Sequence, residues 1–495
     1  MKKKLSKIII MLFATVLLVA MLVACNENTK QDAVTTDIPD GAKVENNGGV
    51  AVKYGNYLYF INGLAGETAN NEFGKVVKGA VMRADLKDGK PDYTTVKTIV
   101  PKNVYGEDKT NGGIYIVNGY IYYNTTSIDK DKDLNYRSTR GVFMRTSLDG
   151  SKSEVIKELD DNDISIYAGD NSSYLVYVYD NILYSVDKDN NIKCLTNATY
   201  NGTNSDRTEV AHLFKGDYAI FTMYDYADTE NYTNSYLVNV FDLKSGELKT
   251  VMSSATFNGE NENTLYKTTV KSASVGADGK LTLYYTKEDN SANGKSAGFY
   301  VTTLDENLTF RQEYRYTQDT TTHAYTAFYT LSNGYTLAFS GKEFDVYNAN
   351  GTRLEKGEGT YDKATESPYV TLSLGNDVTI AGVYENADEV YTYFVYSSKL
   401  NYVKLFDKKD GKFNVAEENA VAFFGGSYDA TFVSYDIIDG VIYYLNSNMK
   451  SNAYYYVIPA IKDIDADTKI SEGKILGVID AADEAELLKE SASKE

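Results

Sequence analysis

Nucleophilic and metal-binding side chains are scarce in this sequence. It contains two cysteines and two histidines in 495 residues, and His212 and His323 both lie far from either cysteine along the chain. Cys194 stands in a strand-like run, so we expect a buried structural thiol there rather than a reactive nucleophile. A zinc or other transition-metal centre needs several such ligands together. We therefore assign no catalytic residue and no cofactor from these side chains.

Aspartates are the other side chains whose spacing suggests chemistry. The string Asp-Lys-Asp-Lys-Asp at 129–133 places alternate carboxylates in a loop, where they could converge on Ca²⁺. An EF-hand loop, however, needs glycine at its sixth position and glutamate at its twelfth, where this chain has Leu134 and Arg140. The aspartates at 463–467 have the same spacing and the same departures. We interpret both segments as solvated loops and predict no metal site.

The N-terminus has the pattern of an export signal. A basic start, Met1 to Lys7, precedes an apolar run from Ile8 to Ala24. The run ends in Leu22-Val23-Ala24-Cys25, which resembles the lipobox of bacterial lipoproteins. The resemblance implies that residues 1–24 are removed and that Cys25 carries a diacylglyceryl thioether. The alternative is an uncleaved transmembrane helix, and both alternatives place the folded part on the extracytoplasmic side of the cell membrane.

Composition restricts the partners. Residues 25–48 are polar with scattered apolar residues, so we expect the lipidated cysteine to be followed by a flexible tether. The formal net charge of the chain is −19, or about −23 without the four lysines of the leader. Such an acidic surface repels phosphate backbones, so we exclude nucleic acid as a partner. The expected partners are the membrane, through the lipid anchor, and a protein or glycan ligand.

Tyrosines and turn residues dominate the rest of the chain. It has 45 tyrosines, 37 glycines, 5 prolines and no tryptophan. Tyrosine and β-branched residues alternate with polar ones between Asn-Gly, Asp-Gly and Gly-Asn turns, which is typical of half-buried strands in tight hairpins. No long segment of the folded region keeps a helical period. The sequence therefore predicts an all-β protein.

A repeated unit organises residues 49–479. The first unit is Val52–Asn62 followed by Ala80–Gly89, and the second, Gly113–Tyr123 followed by Gly141–Gly150, has the same features in the same order. A third contains residues 174–185, with Asp189-Asn190 as its later turn and residues 192–195 as its outer strand. Further units centre on the turns at 215–217, 277–279, 332–334, 375–377 and 438–440. About eight units follow one another at a spacing of roughly 55 residues.

Each unit can hold four short strands, and such sheets bury their faces by packing radially against their neighbours. We predict a single β-propeller of eight four-stranded blades, with seven as the alternative if the first and last strands complete one shared blade. Residues 480–495 would form an acidic tail or a short helix capped by Asp480.

The first two units carry a more specific likeness. Tyr54–Phe60 and Asn118–Tyr123 are each followed by a Met-Arg-x-x-Leu-like strand and a turn, at 82–89 and 144–150. These motifs resemble the repeats of a bacterial domain of unknown function that is also described as a receptor-related-protein-1-like β-propeller. The resemblance implies the fold and carries no catalytic residues.

Several catalytic propeller families are excluded by composition. Trp-Asp repeats, the quinone-dehydrogenase docking motif and the aspartate box all need tryptophan, and we interpret residues 274–280 as a hairpin turn. Runs such as Tyr454-Tyr455-Tyr456 could stack on sugars, but alternating tyrosines also fill the interfaces between blades. The sequence favours a lipid-anchored binding platform over an enzyme, and it leaves the question of catalysis open. The alternatives are an extracellular carbohydrate-active enzyme with two carboxylates across the channel, and an envelope assembly factor.

Overall fold

A computed structural model describes most of the chain from residue 33 to residue 475. The described ranges are 33–61, 69–71, 74–76, 80–102, 104, 113–126, 141–159, 164–196, 211–228, 233–253, 266–276, 278–289, 298–315, 325, 327–340, 343–348, 352–353, 370–371, 379–396, 399–409, 412–415, 421–424, 432–438, 441–446, 455–458 and 474–475.

The described residues form eight antiparallel sheets of four or five strands and one separate hairpin. The first sheet and the hairpin, β4 with β5, comprise β1 (Val44–Glu45), β2 (Ala51–Tyr54), β3 (Tyr57–Ile61), β4 (Ala69–Asn71), β5 (Gly74–Val76), β6 (Val81–Lys87) and β7 (Lys90–Val100). The second sheet comprises β8 (Tyr115–Val117), β9 (Tyr120–Thr126), β10 (Gly141–Ser147) and β11 (Ser153–Glu158). The third comprises β12 (Ile164–Tyr167), β13 (Leu175–Tyr179), β14 (Ile182–Val186) and β15 (Ile192–Cys194).

The next three sheets repeat this order. The fourth comprises β16 (Ala211–Lys215), β17 (Tyr218–Asp228), β18 (Thr233–Asp242) and β19 (Leu248–Ser253). The fifth comprises β20 (Tyr266–Val275), β21 (Leu281–Asp289), β22 (Gly298–Thr303) and β23 (Tyr314–Arg315). The sixth comprises β24 (Ala327–Thr330), β25 (Thr336–Ser340), β26 (Glu343–Tyr347) and β27 (Val370–Thr371).

The last two sheets complete the series. The seventh comprises β28 (Thr379–Glu385), β29 (Glu389–Tyr396), β30 (Lys399–Lys409), β31 (Lys412–Val415) and β32 (Val421–Phe424), of which β32 pairs with β30. The eighth comprises β33 (Phe432–Ile438), β34 (Val441–Asn446), β35 (Tyr455–Ile458) and β36 (Lys474–Ile475).

The sheets are arranged in a ring. The first strands of neighbouring sheets contact one another, as β16, β20, β24 and β28 show, and β2 of the first sheet contacts β33 of the eighth. Ile438 and Tyr443 of the eighth sheet also belong to the buried cluster that contains β2 and β3. The prediction of an all-β propeller is therefore confirmed. Apart from the hairpin β4 with β5, which lies between β3 and β6, each described sheet consists of strands consecutive in sequence, and none of them combines the first and last strands of the chain. The number of blades stays a prediction.

Tyrosines fill the interfaces between sheets. The largest fully buried side chains are nearly all tyrosines, among them Tyr59, Tyr177 and Tyr284. Phe143 of the second sheet packs on Tyr177 of the third, with ring centroids 5.1 Å apart. Strands β3, β10 and β13 are buried along nearly their whole length, so these strands are covered by protein on both faces and are not half-buried as predicted.

The expected tether is shorter than predicted, because the folded part begins near Val34. The backbone N–H of Val34 donates to Asp149 O at 3.0 Å, and β1 pairs with β2. The boundary at 48/49 is therefore wrong. Val34, Ile38 and Val44, which the composition presents as scattered apolar residues, pack against the core of the first sheet. We call residues 33–49 the N-terminal strap.

The predicted hairpin of the third unit is confirmed. Asp180-Asn181 joins β13 to β14, and Ile192–Cys194 is the outermost strand of the sheet, while Ile164–Tyr167 adds a further strand on the inner side. In the seventh sheet the first turn lies at residues 386–388, between β28 and β29, and residues 375–377 lie outside the described part. Among the described residues, no helix is long and apolar enough to span a membrane.

Aspartate and asparagine side chains close the turns after most third strands. The side chain of Asp187 accepts the backbone N–H groups of Asp189 and Asn191, at 2.9 and 2.8 Å. Asp305 accepts those of Asn307 and Thr309, both at 2.9 Å. This hydrogen bonding pre-forms the turn and explains why acidic residues recur at it. These hydrogen bonds also help to hold the pKa of both carboxyls below its ordinary value.

Candidate functional site at the mouth of the central channel

The first strand of each sheet lies next to the axis of the ring and ends at the turn that leads to the second strand. We call the end of the ring where these turns lie the tight-turn face. Gly216, with φ of 56°, forms the turn after β16, and a Cβ atom there would lie 2.8 Å from Cγ2 of Val275 in β20. Glycine at this position therefore permits two neighbouring first strands to approach closely at the mouth of the channel.

A buried carboxylate joins the third and fourth sheets at this face. Oδ1 of Asp217 accepts the N–H of Asn171 at 2.9 Å and the hydroxyl of Ser172 at 3.0 Å. The ammonium group of Lys244 lies 3.2 Å from Oδ2. Asp217 is thus fully engaged in holding two turns together.

A carboxylate joins the sixth and seventh sheets in the same way. Glu385 accepts the N–H of Ser332 at 2.8 Å through Oε2 and its hydroxyl at 2.5 Å through Oε1. Nζ of Lys408 lies 2.5 Å from Oε1. Both carboxylates therefore join neighbouring sheets and are compensated by a lysine of their own sheet, so we assign them a structural role.

The strap contributes to the channel mouth. The side chain of Asn47 donates to Ile116 O at 3.0 Å and to Gly169 O at 2.8 Å, and its Oδ1 accepts the N–H of Ile116 at 2.7 Å. The N–H of Asn47 donates to Oδ1 of Asp170 at 2.9 Å. The strap thus connects the second and third sheets beside the axis. Surrounding protein and the charge of Asp217 raise the pKa of Asp170, although the side chain is accessible to solvent.

An aromatic run crosses from β12 to β16. The rings of Tyr167 and Phe214 are stacked, with centroids 4.9 Å apart and an interplanar angle of 13°. His212 packs on the other end of Phe214 at 5.4 Å and is exposed to solvent. The hydroxyl of Tyr167 donates to Gly216 O at 2.7 Å, which fixes this ring against the turn. The run therefore ends in the exposed imidazole of His212.

Two lysines extend this surface onto the next strand. Lys215 ends β16, and Lys271 is the extra residue where the register of β20 shifts between Val270 and Ser272. Both side chains are exposed, and no described residue forms an ion pair with either. Surrounding protein lowers the pKa of Lys215.

The thiol and histidine are not brought together. Cys194 lies in β15, the outermost strand of the third sheet, and is exposed, so the prediction of a buried thiol is wrong. Its Sγ donates to Thr196 O at 2.5 Å. A three-residue edge strand has no neighbouring sheet over it, which explains the exposure. His212 lies on the innermost strand of the fourth sheet, and His323 lies outside the described residues.

Some of the other predicted positions lie in the described part of the chain and some lie outside it. Residues 274–275 end β20, and Gly276 and residues 278–280 belong to the turn that leads to β21, as expected; Asp278 accepts the N–H of Lys280 at 3.1 Å. Cys25, the aspartate strings at 129–133 and 463–467, and the tail at 480–495 lie outside the described residues. Within the part of the chain that the structure describes, no three His, Cys, Asp or Glu side chains are placed to hold a metal ion.

Comparisons with known proteins concern the fold. No protein-family model matches the chain, and no curated protein matches it in sequence. Solved structures similar to it include a dipeptidyl peptidase 4 from Porphyromonas gingivalis, with a TM-score of 0.41 and 12% identity over 90% of this chain and 61% of that chain. The β-propeller domain of the Trilobed protease from Pyrococcus furiosus gives 0.32 and 10% over 77% and 98%.

A polysaccharide lyase of family 25, an ulvan lyase, gives a TM-score of 0.36 and 10% identity over 84% of this chain and 94% of that chain. The present chain spans 61% of the length of the dipeptidyl peptidase. The resemblance of the first two units to the receptor-related-protein-1-like repeats stays a prediction.

Proposed function

We propose that the protein is a lipid-anchored binding platform on the extracytoplasmic side of the cell membrane, which meets its ligand at the mouth of the propeller channel. The observation that carries the proposal is the contrast among polar groups at this mouth. Asp217 and Glu385 are engaged in joining sheets, whereas Lys215 and Lys271 are exposed on first strands and form no ion pair with a described residue. His212 is exposed as well and packs on the ring of Phe214. Exposed polar and aromatic groups on a rigid concave surface are what a binding site requires.

The strap supports the anchoring part of the proposal. With Cys25 as the first residue of the mature protein, only about eight residues separate the lipid from the docked strap at Val34. Fully extended, such a segment spans at most about 28 Å. The propeller would therefore stay close to the membrane. The end of the strap at Val34 would lie nearest to the lipid.

Lipidation is tested in cells. An inhibitor of signal peptidase II should leave a larger precursor, and Cys25→Ala should remove the lipid while the propeller still folds. Mass spectrometry of the mature N-terminus and fractionation of membranes report both effects. A mature protein whose N-terminus is unmodified would refute the anchor.

Binding is tested with the lipidated protein in detergent micelles on arrays of glycans and peptides. We expect retention of at least one ligand class by the wild type and a reduced signal for His212→Ala. Binding that is unchanged in this variant would place the ligand elsewhere, and hydrolysis of a glycan would favour an enzyme instead.

One observation favours that second candidate, a carbohydrate-active enzyme. Asp170 has a raised pKa beside Tyr167 and Asp217, which is the environment of a general acid. However, Asp217 is already engaged by Asn171, Ser172 and Lys244. Loss of glycan hydrolysis in Asp170→Asn, with an unchanged thermal unfolding temperature, would support the enzyme.

A further inference from the structure

We propose that the outer rim of the second, third and fourth sheets rests on the bilayer that holds the lipid anchor, so that the propeller stands on its edge. The rim consists of the turns between the third and fourth strands together with the first part of each fourth strand, at residues 148–158, 187–194 and 243–250. We call it the outer-turn rim. The inference rests on the proposed lipid anchor and adds the surface of the protein that contacts the membrane.

The exposed apolar side chains of the described residues are concentrated in this rim. Among the described residues, the large hydrophobic side chains that remain exposed are Val155, Ile192 and Leu248, at 44%, 43% and 39% of full exposure. Each lies in the fourth strand of its sheet, and the three sheets are consecutive. A single exposed apolar residue is ordinary, whereas a row of them in equivalent strands of neighbouring sheets indicates a contact surface.

The strand register places these three side chains on equivalent faces of their sheets. Residues that are paired in neighbouring antiparallel strands project on the same face. The three exposed residues are paired with third-strand residues that are buried against the preceding sheet, namely Val155 with Met144, Ile192 with Val186 and Leu248 with Phe241. All three side chains therefore project on the face that is turned towards the preceding sheet.

Direct contacts join the three turns into one continuous rim. Nη1 of Arg145, in the third strand of the second sheet, lies 3.5 Å from Lys188 O in the turn of the third sheet. Tyr174 lies beside that turn, because the residue after it pairs with Val186. The backbone N–H of Tyr174 donates to Leu243 O, in the turn of the fourth sheet, at 2.9 Å. The apolar residues therefore belong to one surface that extends over three sheets.

The N-terminal strap brings the lipid to one end of this rim. The N–H of Val34 donates to Asp149 O, in the turn of the second sheet, at 3.0 Å. From there the strap runs inwards, since β1 pairs with the inner strand β2. A lipid on Cys25 lies at most about 28 Å from Val34 along the extended chain. The bilayer is thus held on the side of the ring that carries the rim, and the channel stays open to its ligand.

The charge of the rim suits a bilayer surface. Its three segments contain six lysines and six acidic residues, whereas the chain as a whole has a net charge of −19. The carboxylates of Asp149 and Asp187 accept backbone N–H groups of their own turns, while Lys188 and Lys193 are exposed. Lysines beside apolar residues can meet lipid phosphates while the apolar side chains enter the interface. A neutral rim also avoids the repulsion that an acidic surface meets at anionic headgroups.

The test uses the lipidated protein in vesicles of phosphatidylcholine and phosphatidylglycerol. With Cys25 lipidated, Cys194 is the one free thiol of the mature chain, and it is exposed two positions after Ile192 in β15. A fluorophore on Cys194 reports contact when part of the phosphatidylcholine carries a nitroxide quencher on its headgroup. The matched control carries the fluorophore at Ala387→Cys in a Cys194→Ser chain, in the exposed turn between β28 and β29, four sheets further along the ring. We expect quenching at Cys194 to be stronger by at least about twofold.

A triple variant tests the apolar side chains themselves. Val155→Thr, Ile192→Thr and Leu248→Thr together remove apolar surface and keep β-branched residues in the fourth strands. Quenching at Cys194 should fall to the level of the control position, while the lipid keeps the protein on the vesicles. Because all three side chains are exposed, the thermal unfolding temperature should stay within about two degrees of the wild type.

The outcomes separate the rim from the anchor. Equal quenching at the two positions, or an unchanged triple variant, would overturn the rim as the contact surface, and sedimentation of the protein with the vesicles would still support the anchor. A label on Cys194 of the Cys25→Ala protein whose fluorescence depends on protein concentration in the absence of vesicles would show that a second copy covers the rim instead. An unmodified mature N-terminus would refute the anchor, and the rim with it.

Discussion

Arg83 in the first sheet and Arg145 in the second occupy equivalent places. Counted without β1, which belongs to the strap, both lie in the third strand of their sheet, are almost fully buried, and stand over a tyrosine ring of the second strand. The guanidinium carbon is 4.2 Å from the centroid of Tyr57 in the first sheet and 4.3 Å from that of Tyr120 in the second. The repeated unit thus places a guanidinium between aromatic residues in the same way twice.

The fourth strand makes the difference. Glu154 stands opposite Arg145, and its carboxylate accepts hydrogen bonds from Nε at 2.7 Å, with Nη2 at 2.6 Å. Lys97 stands opposite Arg83, so a carboxylate is replaced by a second cation. Arg83 turns instead to the strap, where Nη1 donates to the hydroxyl of Thr36 at 2.6 Å. One position in the fourth strand therefore decides whether the arginine is satisfied inside its sheet or by the N-terminal segment.

Both arginines connect their sheet to the next one, Arg145 directly and Arg83 through the strap. Arg145 reaches the turn of the next sheet directly, since its Nη1 lies 3.5 Å from Lys188 O. Arg83 reaches the next sheet through the strap, because Val34 donates to Asp149 O in the turn of the second sheet. In the first sheet, the strap therefore makes the contact with the next sheet that Arg145 makes directly in the second sheet. This explains why a segment that looks like a tether is built into the fold.

The largest effect is expected from Arg145→Met. It leaves Lys152 as the remaining partner of the Glu154 carboxylate and removes the contact with the third sheet. We expect a loss of about 2 to 3 kcal/mol in the free energy of unfolding. Urea denaturation followed by tyrosine fluorescence measures it. The matched control, Glu154→Gln, removes the charge together with part of the hydrogen bonding and should cost less. Equal stability of Arg145→Met and the wild type would contradict the comparison.

A smaller effect on stability, but a specific one on the strap, is expected from Arg83→Met. The variant loses hydrogen bonds to the neutral groups Thr35 O and Thr36 Oγ1, so we expect about 1 to 2 kcal/mol. Release of the strap should also make residues 33–45 accessible to a protease. Limited proteolysis with N-terminal sequencing of the products checks this. Cleavage in this region that is no faster than in Arg145→Met would refute the role of Arg83.

Lys97→Glu should convert the first sheet towards the second. The new carboxylate stands opposite Arg83, as Glu154 stands opposite Arg145, and competes with the strap for the guanidinium. We expect a change of less than about 1 kcal/mol in the free energy of unfolding, because one set of hydrogen bonds replaces another. Proteolysis of the strap should nevertheless increase. Lys97→Gln is the control, since it removes the cation and adds no carboxylate; similar cleavage of both variants would argue against competition.

The parts predicted correctly from the sequence are those that depend on local signals. Asn118-Gly119 adopts positive φ at both residues, 51° and 80°, which is the hairpin turn that this dipeptide favours. The all-β class and the repeated units follow from such turns and from alternation. The strand Ile164–Tyr167, which precedes the predicted third unit, was missed because it is short and the turn after it is longer and lacks a dipeptide signal.

The parts that were missed depend on contacts between distant residues. Nothing near Arg83 in the sequence indicates that Thr36 is its partner, since the pairing depends on the register of β6 with β7. The exposure of Lys215 depends on its place beside the axis of the ring. The recurrent Met-Arg pair opposite Tyr-x-Tyr was the available signal for the two arginines. Lys215 and Lys271 had no comparable signal, because an exposed lysine on a strand is common.

The smallest effect is a pH dependence that separates the two arginines. Hydrogen bonds from Lys152 and Arg145 lower the pKa of Glu154. A carboxyl with a lowered pKa in the folded state adds stability above its ordinary pKa of about 4.3, and this stability is lost as the pH falls through the folded pKa. The penalty of Glu154→Gln should therefore shrink below about pH 4. Arg83 donates to neutral oxygens, so the penalty of Arg83→Met should stay constant over the same range. Thermal unfolding of both variants and the wild type from neutral pH to about pH 3 measures the two penalties. If the penalties of both substitutions fell in parallel as the pH is lowered, the contact between Arg83 and the strap would also depend on a carboxylate.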